Sequence, residues 1–249
     1  MSGLFGCGSN EDLILGSNDF VLERRDDFDD IDFEYWELAG HTFEPNLAWF
    51  SPANAKAEKG QLVLSVTQDR TPAMPTADQV PKPYGAAELR TRASFLYGRF
   101  RARARLAPGT GIITAFWGFY DRYEASGEPI DNQIVTEGAN TPDHTLRYTV
   151  SVPMAAPPST EVVPGFDLSS EYHELGFDWT PGEVRFYLDG ELQSAVSGEA
   201  ATGLRQYQRL VLSAYPTSAA WTGEFDPAKL PVTAAFDWVE VYSYAAARP

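Results

Sequence analysis

The chain has 249 residues, with 19 basic and 35 acidic side chains and a formal net charge of −16. A surface this acidic repels phosphate backbones and anionic lipid, which argues against nucleic acid as a partner. One cysteine and three histidines exclude an internal disulfide framework and leave too few ligands for a multi-histidine metal centre, and no apolar run reaches the ~18–20 residues of a membrane-spanning helix.

At the N-terminus, Leu4-Phe5-Gly6-Cys7 resembles the lipobox that ends a bacterial lipoprotein signal. On that reading Cys7 is lipidated, residues 1–19 are a flexible tether and the protein is extracytoplasmic. Neither a basic start nor an apolar stretch of ~7–15 residues precedes the motif. The opposite reading, a polar tail with an incidental cysteine on a cytoplasmic protein, therefore stays open. From residue 20 onward the apolar pattern has period two rather than 3.6. Leu62–Val66, Phe95–Ala104, Leu146–Val152, Val184–Leu188 and Phe236–Tyr242 are predicted strands. Glu58-Lys59-Gly60, Pro108-Gly109, Pro181-Gly182 and Asp189-Gly190 supply the turns. Leu204–Leu210 has room for one helical turn. The Pro-rich stretches Thr71–Pro83 and Pro153–Pro164 read as long rim loops, where binding residues tend to sit. Short strands with 18 prolines and 20 glycines predict one all-β sandwich domain over residues 20–249.

Several blocks, in order, carry a resemblance to a known family. Ala87-Glu88-Leu89-Arg90-Thr91, Tyr97-Gly98-Arg99-Phe100, Pro108-Gly109-Thr110-Gly111 and Ala115-Phe116-Trp117 form a central run. Tyr172 to Trp179, Val184 to Gly190 and Phe236 to Tyr242 follow it, and Asn46–Trp49 and Gly60–Val66 precede it. Together they resemble the family-16 glycoside hydrolases: laminarinases, lichenases, agarases and carrageenases. The resemblance implies a jelly-roll β-sandwich of the concanavalin A-like lectin/glucanase type, with a concave ligand cleft. It also implies a β-linked polysaccharide or oligosaccharide as partner and no organic cofactor.

That family works through a strand reading Glu-x-Asp-x-(x)-Glu. Alternate residues on a strand share a face, so all three carboxyl groups enter the cleft. The first is the nucleophile and the last the acid/base, and the Asp between them keeps their proton affinities apart. The corresponding stretch here is Asp131-Asn132-Gln133-Ile134-Val135-Thr136-Glu137-Gly138. Counted back without a gap from Leu146-Arg147-Tyr148, Glu137 takes the acid/base position, Gln133 the nucleophile's and Val135 that of the Asp. An amide cannot form the glycosyl ester. A second register makes Glu128 the nucleophile, Asp131 the helper and Gln133 the acid/base, but it puts Pro129 inside a strand. Either register is one carboxylate short.

The resemblance places Glu88 and Arg90 together on the cleft wall. Trp117, Tyr120, Tyr123, Tyr215 and Trp221 are candidate platforms for sugar rings, with Trp117 the one most suited to burial. Ser213-Ala214-Tyr215-Pro216 stands where glucan-cleaving relatives carry an Asn-x-Trp signature. His173 reads as a structural histidine, and His144 as a loop residue within reach of the cleft. Finally, the resemblance implies a structural calcium ion held by two main-chain carbonyls and one aspartate, at positions that fall on Asp27, Gly60 and Asp237, with water completing its 6–8 oxygen ligands.

Three functions follow. The first is a carbohydrate-recognition protein, a pseudoenzyme whose retaining hydrolysis is impaired by Gln133 and Val135. The second is an active β-glycanase in which Glu137 works with Asp131 or Glu128. The third is an enzyme of another class, with Glu137 as general acid and a small apolar ligand in the cleft. Whether the chain is an enzyme stays open at this point.

Overall fold

A computed structural model describes residues 19–68, 81–120, 132–141, 143–152 and 156–245. Among them sixteen strands, β1–β16 in chain order, build two stacked, almost wholly antiparallel sheets. The outer sheet runs β14 (Glu191–Ser197), β13 (Glu183–Leu188), β12 (His173–Thr180), β7 (Gly98–Arg105), β16 (Val232–Tyr244), β5 (Leu62–Val66) and β4 (Ala55–Ala57), with β1 (Phe20–Asp26) also on β16. The inner sheet runs β11 (Ser159–Val162), β10 (Leu146–Ser151), β9 (Gln133–Ala139), β8 (Ile112–Phe119), β15 (Arg209–Pro216), β6 (Tyr84–Thr91) and β2 (Trp36–Leu38). A short β3 (Ala48–Phe50) joins β6 in parallel. This is the all-β jelly-roll sandwich that the alternation and the resemblance predict.

The alternation does the sorting. In β7, Phe100, Ala102 and Ala104 point into the sandwich while Arg99, Arg101, Arg103 and Arg105 face outward. The core between the sheets is aromatic, with Trp36, Phe116, Tyr148, Phe177, Trp179, Phe186 and Phe236 all buried in one cluster. Burying rings of this size contributes most of the driving force for stacking the sheets. In β9, Ile134, Thr136 and Gly138 turn toward this core. A Cβ on Gly138 would lie 2.2 Å from Leu106 Cδ2 and 2.9 Å from Leu146 Cδ2, so any larger residue there makes both leucines move.

Two local expectations change. The Pro153–Pro164 stretch is not all loop: after Pro157-Pro158, residues Ser159–Val162 pair with β10 as the sheet's last strand, and an edge tolerates flanking prolines. The helical turn lies at α1 (Glu199–Gly203), ahead of Leu204–Leu210. Its Glu-Ala-Ala run favours helix, whereas Arg209 and Leu210 already belong to β15. Cys7, Tyr123, Glu128, Pro129, Asp131 and most of Thr71–Pro83 lie outside the described residues.

Candidate active site

The concave face of the inner sheet forms an open cleft of about 860 Å³. Its wall is a lattice of side chains set by strand register. β9 pairs with β8 and β10 without a bulge, so Gln133, Val135 and Glu137 all face the cleft at alternate positions. One cross-strand row reads Arg147, Glu137, Ala115, Ser213, Glu88. The next reads Thr149, Val135, Trp117, Val211, Arg90, Glu37.

Glu137 stands half-buried at the foot of the cleft, beside an apolar floor built from Phe50, Ala86, Ile113, Ala115 and Tyr215. Burial pushes its carboxyl up to about 7, and the Arg147 cation offsets only part of that. Desolvation disfavours the charged form, and Val135 supplies no hydrogen bond to counter it. Arg147 is itself held by Glu161, at 2.6 Å, and lies over the Trp221 ring, 4.5 Å from its centroid.

At the far end of the same row Glu88 is 3% exposed. Its Oε1 lies 3.0 Å from Nε2 of His41. Its Oε2 and the Nε of Arg90 are buried without a hydrogen-bond partner among the described residues; Arg90 reaches Glu37 through Nη2 at 3.4 Å. Glu88 is three strands from Glu137, or roughly 14 Å along the sheet at the usual strand spacing. That is far wider than the ~5–5.5 Å of a retaining pair.

The aromatic candidates divide. Trp117 is half-exposed on the cleft wall rather than buried, because its position faces outward from β8; its Nε1 donates to Ser213 Oγ at 3.3 Å. Tyr215 lines the cleft, but its ring is packed edge-on against Phe43 and Phe50. It is floor, and burial together with the nearby Glu137 and Glu88 pushes its phenol well above the usual value. Trp221 offers its face to Arg147 rather than to the cleft, and Tyr120, just past β8, is not on the cleft wall.

The histidines divide too. His173 is structural: it bonds Asp189 at 2.8 Å and stacks on Phe166. His144 turns away from the cleft toward Asn140 and Asp167. Sequence reasoning missed His41, Phe43 and Arg147 as cleft residues. Arg147 was recoverable from its register opposite Glu137, whereas the loop holding His41 and Phe43 carries no periodic signal.

Of the positions implied for calcium, Asp237 is the one whose side chain would ligate, and that carboxylate already has a cationic partner. Asp237 accepts from Arg103 at 2.5 Å, and Asp27 is paired with Arg25 at 2.7 Å.

The chain is 31% identical over 176 residues to a beta-glucanase of Fibrobacter succinogenes, covering 68% of this chain and 50% of that protein. It is 30% identical over 146 residues to a glucan endo-1,3-beta-glucosidase of Cryptopygus antarcticus, covering 56% and 53%. The chain thus spans about half the length of these two relatives. Its fold superposes on a beta-1,3-1,4-glucanase (lichenase) from a mouse hindgut metagenome with a TM-score of 0.74, at 26% identity over 89% of this chain and 98% of the other. The family model for glycosyl hydrolases family 16 matches residues 43–240, which include β6, β8, β9, β10 and β15 of the concave lattice but not Glu37 or His41. By its fold, its cleft and this match, the chain belongs to glycosyl hydrolase family 16.

Proposed function

We propose that this chain binds a β-linked glucan in its concave cleft and has lost ordinary retaining hydrolysis. One observation carries the reading: Gln133, Val135 and Glu137 share the cleft face of an unbulged β9, so the strand presents one carboxyl group instead of three. An amide cannot act as the nucleophile. The cleft wall mixes polar and charged side chains, Glu88, Arg90, Gln133, Arg147 and Thr149, with the Trp117 indole, a lining that suits a polyhydroxyl ligand with apolar ring faces. The names of the relatives, beta-glucanase and glucan endo-1,3-beta-glucosidase, support glucan as the class.

The test is release of reducing ends from mixed-linkage and β-1,3-glucans, run beside binding of the same glucans. The parent binds and releases nothing. Gln133→Glu with Val135→Asp restores the family's carboxylate spacing and gains hydrolysis, which Glu137→Ala then abolishes. Release by the parent itself, lost in Glu137→Ala, overturns the proposal. That result would favour a second reading, for which Glu137 is suited by its carboxyl raised to about 7: proton donation with a partner other than Gln133.

A further inference from the structure

The convex face of the outer sheet carries its own network, remote from the cleft. β16 pairs with β7 through a bulge between Phe236 and Trp238, which leaves Asp237 unpaired in the ladder. Arg103 Nη1 donates to Asp237 Oδ2 at 2.5 Å. The Arg103 guanidinium also lies over the Tyr172 ring, 4.9 Å from its centroid, and the Tyr172 hydroxyl donates to Gln61, next to Gly60. On the neighbouring strand, Arg25 bridges Asp27 and Glu240, each at 2.7 Å, and covers Trp238 at 4.7 Å.

We infer that Arg103 stands in for a structural divalent cation, so that the fold holds its convex face together without calcium. The three positions where the resemblance puts the ion, Asp27, Gly60 and Asp237, all lie in or beside this network. A guanidinium is a permanent cation whose planar donors fit a carboxylate, and the aromatic ring beneath it adds attraction. Calcium needs 6–8 oxygen ligands. At Asp237 it would share the carboxylate with Arg103, and like charges that close repel. The register explains how the exchange is possible. Arg103 is one of four outward arginines on β7, and Arg99 and Arg101 are committed to Asp178. Arg103 is the one opposite the bulge and so the one able to reach Asp237. The inference does not depend on glucan binding.

Thermal melts of the full chain test it, with millimolar EDTA or millimolar calcium chloride as the only variable. The parent's Tm is the same in both. Arg103→Met, which keeps the stem and removes the charge, melts about 2–4 °C lower in EDTA and regains that loss in calcium. Arg103→Lys, which keeps the charge, is again indifferent to calcium. A parent Tm that falls in EDTA or rises in calcium overturns the inference, as does an Arg103→Met protein that calcium leaves unchanged. If Arg103→Met does not fold, calorimetric titration of calcium into EDTA-treated parent decides: no saturable binding in the millimolar range upholds the inference, and saturable binding overturns it.

Discussion

Glu137 combines a carboxyl group with an apolar neighbourhood, and its proton sets the pH behaviour of the fold. Its folded value, about 7, lies above the ordinary 4.5. The folded state therefore prefers the protonated acid. This contribution is fully present below pH 4.5 and is lost as pH rises through about 7. The loss is bounded near about 3 kcal/mol by the size of the shift. Urea unfolding at pH 5 and pH 8 checks it: the parent is less stable at pH 8, and Glu137→Gln removes most of that difference. Trp117 makes the complementary prediction for binding. Its indole is exposed to the cleft and tethered through Ser213, so Trp117→Ala weakens glucan affinity about tenfold, or about 1.4 kcal/mol, measured by calorimetry. Its removal leaves the main core intact, because the ring belongs to the concave-face cluster.

At the scale of elements, two strands are held by opposite means. β9 is fixed by shape, through Gly138 beneath Leu106. Gly138→Ala destabilises the fold by about 1–3 kcal/mol through overpacking, read from the denaturation midpoint. β12 is fixed by charge. Asp178 is 1% exposed and accepts from Arg99 at 2.9 and 2.8 Å and from Arg101 at 2.7 Å. Removing one side of a buried pair strands the other, so Asp178→Ala costs about 3–5 kcal/mol in the same assay. Strands such as β5 and β7 were legible in sequence because alternation and the paired turn residues are local signals. The cleft face of β9 was legible only through the family resemblance, with strand alternation then assigning Gln133, Val135 and Glu137 to one face. His41 was not: it meets Glu88 across 47 positions of sequence, and no local rule specifies such a contact. Nor was β11, whose strand is made by its pairing with β10 rather than by its own residues.

For the whole molecule, a net charge of −16 means self-repulsion spread over the surface. The Debye length falls from about 30 Å at 0.01 M salt to about 10 Å at 0.1 M. Potassium chloride raised over that range therefore increases Tm, because it screens the diffuse repulsion more than the buried Asp178 cluster. A Tm that falls instead would mean that the exposed ion pairs of the convex face outweigh the repulsion. The two faces of the sandwich thus differ in character, the outer sheet carrying the arginine ion pairs and the concave sheet the open cleft. The fit of Gly138 beneath Leu106 also bears on the cleft. A strand held in register keeps its cleft positions addressed whatever side chains fill them, so residues there can change without any rearrangement of the backbone. Glutamate at 133 and aspartate at 135 would therefore enter the cleft in line with Glu137, with nothing else in the sheet moved.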